Sequence, residues 1–129
     1  MILRGRKIAP GGAVGETLVT THGISFFGGV DPQTGVVMEK GHSLEGQAIC
    51  GKILIFPTGK GSTVGSYTLY RLKKAGKAPL AILNAEAETI TAVGCIIADI
   101  PCVDHLPLDQ FKTGMKVRVN GETGTVEIL

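Results

Sequence analysis

The sequence contains no tryptophan, and aromatic residues make up only 5% of its 129 residues. Proteins that hold single-stranded nucleic acid stack its bases on exposed aromatic rings, so this mode of binding is disfavoured. The formal net charge is only +2, which is too small to indicate a nucleic-acid partner. The basic cluster at residues 71–77 closes a predicted helix, where cations stabilise the negative end of the helix dipole.

Long apolar runs and paired cysteines are also lacking. No stretch of 18 apolar residues occurs, and residues 1–6 lack the apolar segment of a signal peptide. The cysteines, Cys50, Cys95 and Cys102, are odd in number and form no CxxC pair, which argues against a disulfide framework. The same spacing disfavours an iron–sulfur cluster on this chain, because cluster ligands usually come as closely spaced cysteines. We therefore expect a cytoplasmic protein with no membrane partner.

The remaining composition is that of a folded protein, with 43% apolar and 19% charged residues. The length fits one domain, residues 1–129. The central third has the order of a βαβ crossover, with a strand at 52–56, a glycine-rich turn, a helix at 62–75 and a strand at 79–84. This order predicts a mixed α/β fold.

Shorter segments flank the crossover. Residues 17–20 and 24–27 are rich in β-forming side chains between glycine-containing turns, and they predict short strands. Residues 86–93 predict a short second helix. The end of the chain predicts a hairpin, because two alternating segments flank Asn120 and Gly121, a favoured turn pair.

The most informative segment is the loop at 57–63, where the predicted strand gives way to the helix. Gly59 and Gly61 allow backbone amides to approach a bound anion, and the helix dipole adds partial positive charge at the same point. Lys60 adds a full positive charge. Ser62 places a hydroxyl among these groups, so it is the candidate functional residue.

Two other interpretations of this loop bear on its function. A Walker A loop is excluded, because its first glycine position is occupied by Leu54. Ser62 could instead be a simple N-cap, for which serine is favoured and which stabilises a helix by about 1 kcal/mol. The residues alone leave the choice between capping and catalysis open.

Other candidate residues give weaker signals. Asp31 follows a glycine-rich turn, where it could form an Asx turn or hold a loop or a substrate hydroxyl. The histidines, His22, His42 and His105, are far apart in sequence, and only His105 has an adjacent acidic residue. No histidine is therefore assigned a function.

Several motifs together resemble the small subunits of the aconitase X family, and the archaeal members most of all. The resemblance covers nearly the full length, and the combination of GGVDPxTG with PxGKGS is its most specific part. The matching segments are residues 4–8, residues 25–35, residues 57–62, Asn84, residues 98–101 and residues 119–121.

The resemblance implies the swivelling β/β/α domain of aconitase-type enzymes. It also implies a hydro-lyase subunit that acts as a heterodimer with a large subunit, which holds the iron–sulfur cluster, while this chain binds no cofactor or metal. Ser62 matches the serine that acts as catalytic base. The expected substrate-binding residues are Gly59, Lys60, Gly61, Thr63 and Asp31.

The family reaction removes water from (R)-5-phosphomevalonate and forms trans-anhydromevalonate 5-phosphate, a step toward isoprenoids in an archaeal mevalonate pathway. Related members dehydrate hydroxyproline isomers, and this alternative substrate stays open. A second alternative is a non-catalytic module whose loop simply holds phosphate. Such a module should bind its ligand alone, whereas a swivel subunit should bind little without its partner and should expose an apolar docking patch.

Overall fold

The computed structural model describes all 129 residues and contains eight strands and three α-helices. No helix is both long and apolar enough to cross a membrane. In chain order the elements are β1 (Ile2–Arg4), β2 (Arg6–Ala9), β3 (Gly12–Val19), α1 (Phe26–Gly29), β4 (Ile53–Phe56), α2 (Val64–Lys74), β5 (Ala81–Asn84), α3 (Thr89–Ala98), β6 (Cys102–Asp104), a 3-10 turn (Leu108–Gln110), β7 (Lys116–Asn120) and β8 (Thr125–Ile128).

The strands are ordered β1-β8-β7-β3-β4-β5-β6-β2. Strands β3 to β6 run parallel to one another, whereas β1, β2, β7 and β8 pair in antiparallel fashion. Strand β3 joins the two parts of the sheet, because residues 12–16 pair with β7 and residues 17–19 pair with β4. The parallel strands thus bring their carboxyl ends to one edge.

The parallel strands are covered on both faces. Because side chains alternate along a strand, Ile53 and Ile55 of β4 pack with the β7–β8 hairpin, whereas Leu54 and Phe56 pack with α2 and α3. Every residue of β4 and β5 is buried, as expected for parallel strands between two layers. The layers are therefore hairpin sheet, parallel sheet and helices, which confirms the mixed α/β fold.

Helices α2 and α3 pack closely against each other. Gly94 lies at their contact, where a Cβ atom would approach Ser66 Cα to 3.2 Å. Leu69, Leu72 and Cys95 are fully buried beneath the two helices. Burying one leucine side chain contributes about 1.5–3 kcal/mol, so packing rather than helix propensity holds this layer in place.

The structure confirms the predicted crossover, since β4, α2 and β5 follow one another in the expected order. Helix α2 begins at Val64 rather than at Ser62, with Thr63 as its N-cap residue. The second helix lies at Thr89–Ala98 rather than at 86–93, because the Glu88 side chain accepts hydrogen bonds from the first helical amides and fixes the start there.

Two further predictions differ from the structure. Residues 24–27 do not form the predicted strand: Ile24 makes only an isolated parallel bridge with Gly59, and Phe26–Gly29 is a short, kinked helical turn. The terminal hairpin is confirmed, but its turn spans residues 121–124 instead of two residues. Asn120 holds this longer turn, because its side-chain oxygen accepts hydrogen bonds from two turn amides.

Candidate functional site

The loop at 57–63 lies at the carboxyl end of β4, beside the segment that follows β3. The amide of Ile24 donates to the carbonyl of Thr58 at 3.3 Å, and the amide of Lys60 donates to the carbonyl of Ile24 at 2.9 Å. Ligands of open α/β sheets commonly bind at the carboxyl ends of parallel strands. The loop is thus held at the edge where such a site is expected.

The root of this loop is fixed by the end of β5. The Pro57 carbonyl accepts hydrogen bonds from the amides of Ala85 and Glu86 at 3.0 and 3.1 Å. The Asn84 side-chain amide donates to the Phe56 carbonyl at 2.9 Å, and Asn84 is fully buried. These bonds leave the tip of the loop, rather than its base, free to contact a ligand.

Gly59 and Gly61 serve two distinct needs. A Cβ atom on Gly59 would overlap the Glu88 carboxylate and the Thr91 hydroxyl, so only glycine lets the loop lie this close to the start of α3. Gly61 has φ +97°, a conformation that side chains rarely adopt, and its Cα faces the Ser25 hydroxyl. The glycine spacing therefore sets both the position and the backbone shape of the loop.

Ser62 is exposed at the tip of the loop. Its Oγ accepts a hydrogen bond from the Val64 amide at 3.2 Å, so it engages the first amide of α2 from the residue before the N-cap while facing solvent. The amides of Gly61, Ser62 and Thr63 donate to no acceptor within the protein. Three free amides at a helix start can hold an anion or stabilise an oxyanion.

The sequence suggests that Lys60 carries an unpaired positive charge, but the structure shows that it forms an ion pair. Its Nζ lies 3.0 Å from Oε2 of Glu39, so the positive charge of the loop is paired. Neither Glu39 nor Ser25, which lies against Gly61, was identified as a site residue from the sequence. Both are brought to the loop by tertiary contacts, and no spacing in the sequence indicates either.

Asp31 lies in the turn after α1. Its Oδ1 accepts a hydrogen bond from the Gln33 amide at 2.8 Å, and its backbone carbonyl accepts one from Gly35 at 2.8 Å. This geometry is an Asx turn. The other carboxylate oxygen makes no hydrogen bond within the protein, and no hydrogen bond joins Asp31 to the loop at 57–63.

His22 and His42 pack together in the segment around residues 22–44 and make no hydrogen bond to the loop at 57–63. His42 is nearly buried, accepts a hydrogen bond from the Leu44 amide at Nδ1, and places Nε2 at 3.1 Å from the Gly23 carbonyl. The ring of His22 stands edge-on to that of His42, with centroids 5.2 Å apart. Both rings therefore tie the segment after β3 to residues 42–44.

A charged cluster lies at the ends of β5 and β6. Burial by itself would raise the pKa of Asp104, but hydrogen bonds from Arg6 and the Ala87 amide hold that pKa below its usual value. His105 Nε2 lies 2.9 Å from Glu86 Oε2. The ligand atoms of Glu86, Asp104 and His105 are close enough to one another to coordinate a cation. However, Arg6 donates hydrogen bonds to both carboxylate oxygens of Asp104, so these three residues do not fit a metal site.

The cysteines do not fit an iron–sulfur cluster. Cys95 and Cys102 are fully buried between α3 and the sheet, and the neighbouring Cys102 thiol together with burial raises the pKa of the Cys95 thiol. Cluster ligands must be thiolates, so this environment opposes ligation. Cys50 lies apart and contacts the Gly76 carbonyl at 3.5 Å.

Large apolar side chains are exposed on the first turns of α2 and beside them. Phe27, Val64 and Tyr67 are 53%, 43% and 58% exposed. Val64 follows the loop directly, and the backbone of Phe27 lies beside Gly65 in the first turn of the helix. An apolar surface of this kind beside polar groups is typical of a site covered by another chain.

Comparison with known proteins places this geometry in a family. Residues 2–128 match the family model described as aconitase X swivel domain. The phosphomevalonate dehydratase small subunit of Thermococcus kodakarensis is 58% identical, over 100% of this chain and 97% of that protein. The protein of the same name from Methanosarcina acetivorans is 55% identical, over 98% of this chain and 90% of that protein.

Solved structures agree with the sequence comparison. The crystal structure of Thermococcus kodakaraensis aconitase X in its holo form superposes with a TM-score of 0.98 and 57% identity, covering 100% of this chain and 98% of that chain. A UPF0107 protein solved by solution NMR superposes with a TM-score of 0.89 and 45% identity, covering 100% and 99%. The expected resemblance and swivel fold are confirmed, and the chain belongs to the aconitase X swivel domain family.

Proposed function

We propose that this chain is the small subunit of a hydro-lyase that removes water from (R)-5-phosphomevalonate and forms trans-anhydromevalonate 5-phosphate. The proposal rests on its similarity, over nearly the full length, to archaeal proteins named phosphomevalonate dehydratase small subunit. The reaction is a step of an archaeal mevalonate pathway toward isoprenoids. Residues 1–129 act as one swivel domain, and the cytoplasmic location expected from the sequence belongs to the same proposal.

Ser62 is the proposed catalytic base. A serine hydroxyl must act as an alkoxide to remove a proton, because the neutral hydroxyl is a weak base. The free amides at 61–63 and the start of α2 supply the positive potential that stabilises such an oxyanion. In this proposal Ser62 Oγ takes a proton from the carbon beside the substrate carboxylate.

The substrate-binding residues are proposed around that base. Gly59 and Gly61 allow the close approach of the backbone, while Lys60 and the Thr63 amide bind an anionic group of the substrate. Asp31 is kept as a proposed binding residue through its free carboxylate oxygen. The sequence prediction for these residues thus stays a proposal that mutagenesis has to test.

A larger partner subunit completes the site in this proposal. The relatives are named small subunits, and the apolar side chains exposed on and beside the first turns of α2 are those that a partner would cover. We propose that the partner holds the iron–sulfur cluster of this enzyme class, since the cysteines of this chain do not fit one. The expected assembly contains one small and one large subunit.

The test is anaerobic co-expression of this chain with the large subunit, followed by assay of the purified complex with (R)-5-phosphomevalonate. We expect turnover by the wild type and a loss of at least about 100-fold with Ser62→Ala, the range for removal of a general base. The variant should lose at most about 1 kcal/mol of stability, the value of a helix cap. Thr123→Ala removes an exposed hydroxyl from the β7–β8 turn and serves as the matched control.

The outcomes separate the possible functions. An active Ser62→Ala complex would remove Ser62 from the mechanism. If the complex forms but does not turn over phosphomevalonate, hydroxyproline isomers are the next substrates to assay. Failure to form any complex would contradict the subunit assignment and favour a phosphate-binding module.

A further inference from the structure

A short hairpin places Glu39 beside the loop at 57–63. Val30 and Val37 form an antiparallel bridge, and the Met38 amide donates to the Gly29 carbonyl at 2.8 Å. This pairing sets the Glu39 carboxylate over Gly29, where a Cβ atom would lie 3.6 Å from Oε1. The side chain of Glu39 is only 33% exposed, so it is supported by the backbone beneath it.

The ion pair cancels the only full charge of the loop. Lys60 is the single ionisable residue between 57 and 63, and its Nζ lies 3.0 Å from Glu39 Oε2. An anion that bound to Lys60 would lie within a few ångströms of a negative carboxylate. Glu39 and such an anion therefore compete for the same lysine.

We propose that Glu39 lowers the affinity of the free chain for small anions by pairing with Lys60. The proposal rests on the function proposed above for this loop, and it gives a physical reason for the weak binding expected of a swivel subunit without its partner. Contacts of the substrate with the large subunit add binding energy that this loop alone does not supply. The substrate can then compete with Glu39, whereas a free inorganic anion in water competes poorly.

The test measures phosphate binding by the full chain without a partner. A relative of similar length was solved by solution NMR, so amide shifts of residues 61–63 can be followed while inorganic phosphate is added. Glu39→Gln keeps a hydrogen-bond acceptor for Lys60 but removes the negative charge. We expect it to bind phosphate roughly three- to tenfold more tightly than the wild type, because Lys60 is then free to attract the anion at about 4 Å in water.

Matched variants identify the cause of any change. Glu45→Gln removes a charge from the same segment, where Glu45 accepts a hydrogen bond from the Gly41 amide rather than facing Lys60, and should leave phosphate affinity unchanged. Glu39→Asp keeps the charge and should bind weakly like the wild type. In the Lys60→Met background, Glu39→Gln should lose most of its effect.

Three results would overturn the proposal. Equal phosphate affinity of the wild type and Glu39→Gln would show that the carboxylate does not oppose anions. An undiminished gain in the Lys60→Met background would show that Glu39 acts without Lys60. If Glu39→Gln does not fold, Lys60→Met alone decides, because a large loss of phosphate affinity would mean that Lys60 is not neutralised in the free chain. None of these measurements depends on turnover, so the proposed function is judged separately.

Discussion

Asp104 offers a sharp test of how the edge of the sheet is held together. Its side chain is fully buried, and it accepts hydrogen bonds from Arg6 Nε at 3.0 Å, from Arg6 Nη2 at 2.7 Å and from the Ala87 amide at 2.9 Å. Residues 85 and 86 in turn bind the Pro57 carbonyl at the root of the Ser62 loop. Asp104→Asn removes the charge with little change in volume.

The expected cost follows from the bonds that are lost. The new amide can still accept one hydrogen bond, but its NH₂ group faces a donor of Arg6. Hydrogen bonds to a charged group contribute about 1.5–3 kcal/mol each. Since the Arg6 side chain is 49% exposed and can return to water, we expect a loss of about 2 kcal/mol in the free energy of unfolding at pH 7.

The pH dependence has a definite sign. The pKa of Asp104 is lowered in the folded state, so its ionised form stabilises the fold above its unfolded-state pKa of about 3.9. This stabilisation is lost as the pH falls through the lower, folded-state pKa. The difference between the wild type and Asp104→Asn should therefore be constant between about pH 5 and 8 and should shrink below about pH 4.

Urea unfolding at pH 7, 5 and 3 measures this difference. Glu127→Gln is the control, because Glu127 pairs with Arg118 at 2.7 Å on an exposed strand face and should contribute less than about 1 kcal/mol. Equal stability of Asp104→Asn and the wild type at pH 7 would refute the reasoning. So would a difference that is as large at pH 3 as at pH 7.

Two further substitutions probe the loop itself. Lys60→Ala should lower turnover of the assembled enzyme less than Ser62→Ala does, because the free amides and the helix start remain. A steady-state assay measures this change, and wild-type rates in the Lys60→Ala enzyme would rule out an electrostatic contribution of Lys60. Gly61→Ala should lower the free energy of unfolding by about 1–2 kcal/mol, because φ of Gly61 is +97° and the Ser25 hydroxyl occupies the position of the added Cβ atom. An unchanged urea midpoint would contradict the expected backbone strain.

The layered fold was predictable because its signals are local. Residues 53–56 and 81–84 are continuous apolar runs, and parallel strands covered on both faces require such runs. The segment at 24–27 carries the same kind of signal but forms no strand. Its backbone bonds to the loop at 57–63 instead, a tertiary contact that β-propensity does not encode.

The position of Ser62 was predictable for the same reason, since glycines, a lysine and a serine adjoin the start of one helix. The charged groups near Ser62, in contrast, could not be predicted from the sequence. Glu39 is 21 residues away from Lys60 in sequence. Two isolated β-bridges, between residues 30 and 37 and between residues 36 and 48, hold its segment beside the loop. Neither bridge belongs to a regular strand with a recognisable period, so the sequence offers no pattern that would place this carboxylate.

The pairing of Lys60 with Glu39 alters what the loop can do by itself. A phosphate-binding module gains affinity from a positive side chain that is available in the free state, whereas here the lysine is engaged and only three backbone amides remain. Amide dipoles in contact with water bind anions weakly, but they become effective once water is excluded. A loop with a paired lysine and three free amides is therefore suited to bind an anion when another protein surface covers it. A small subunit meets this condition only within its complex.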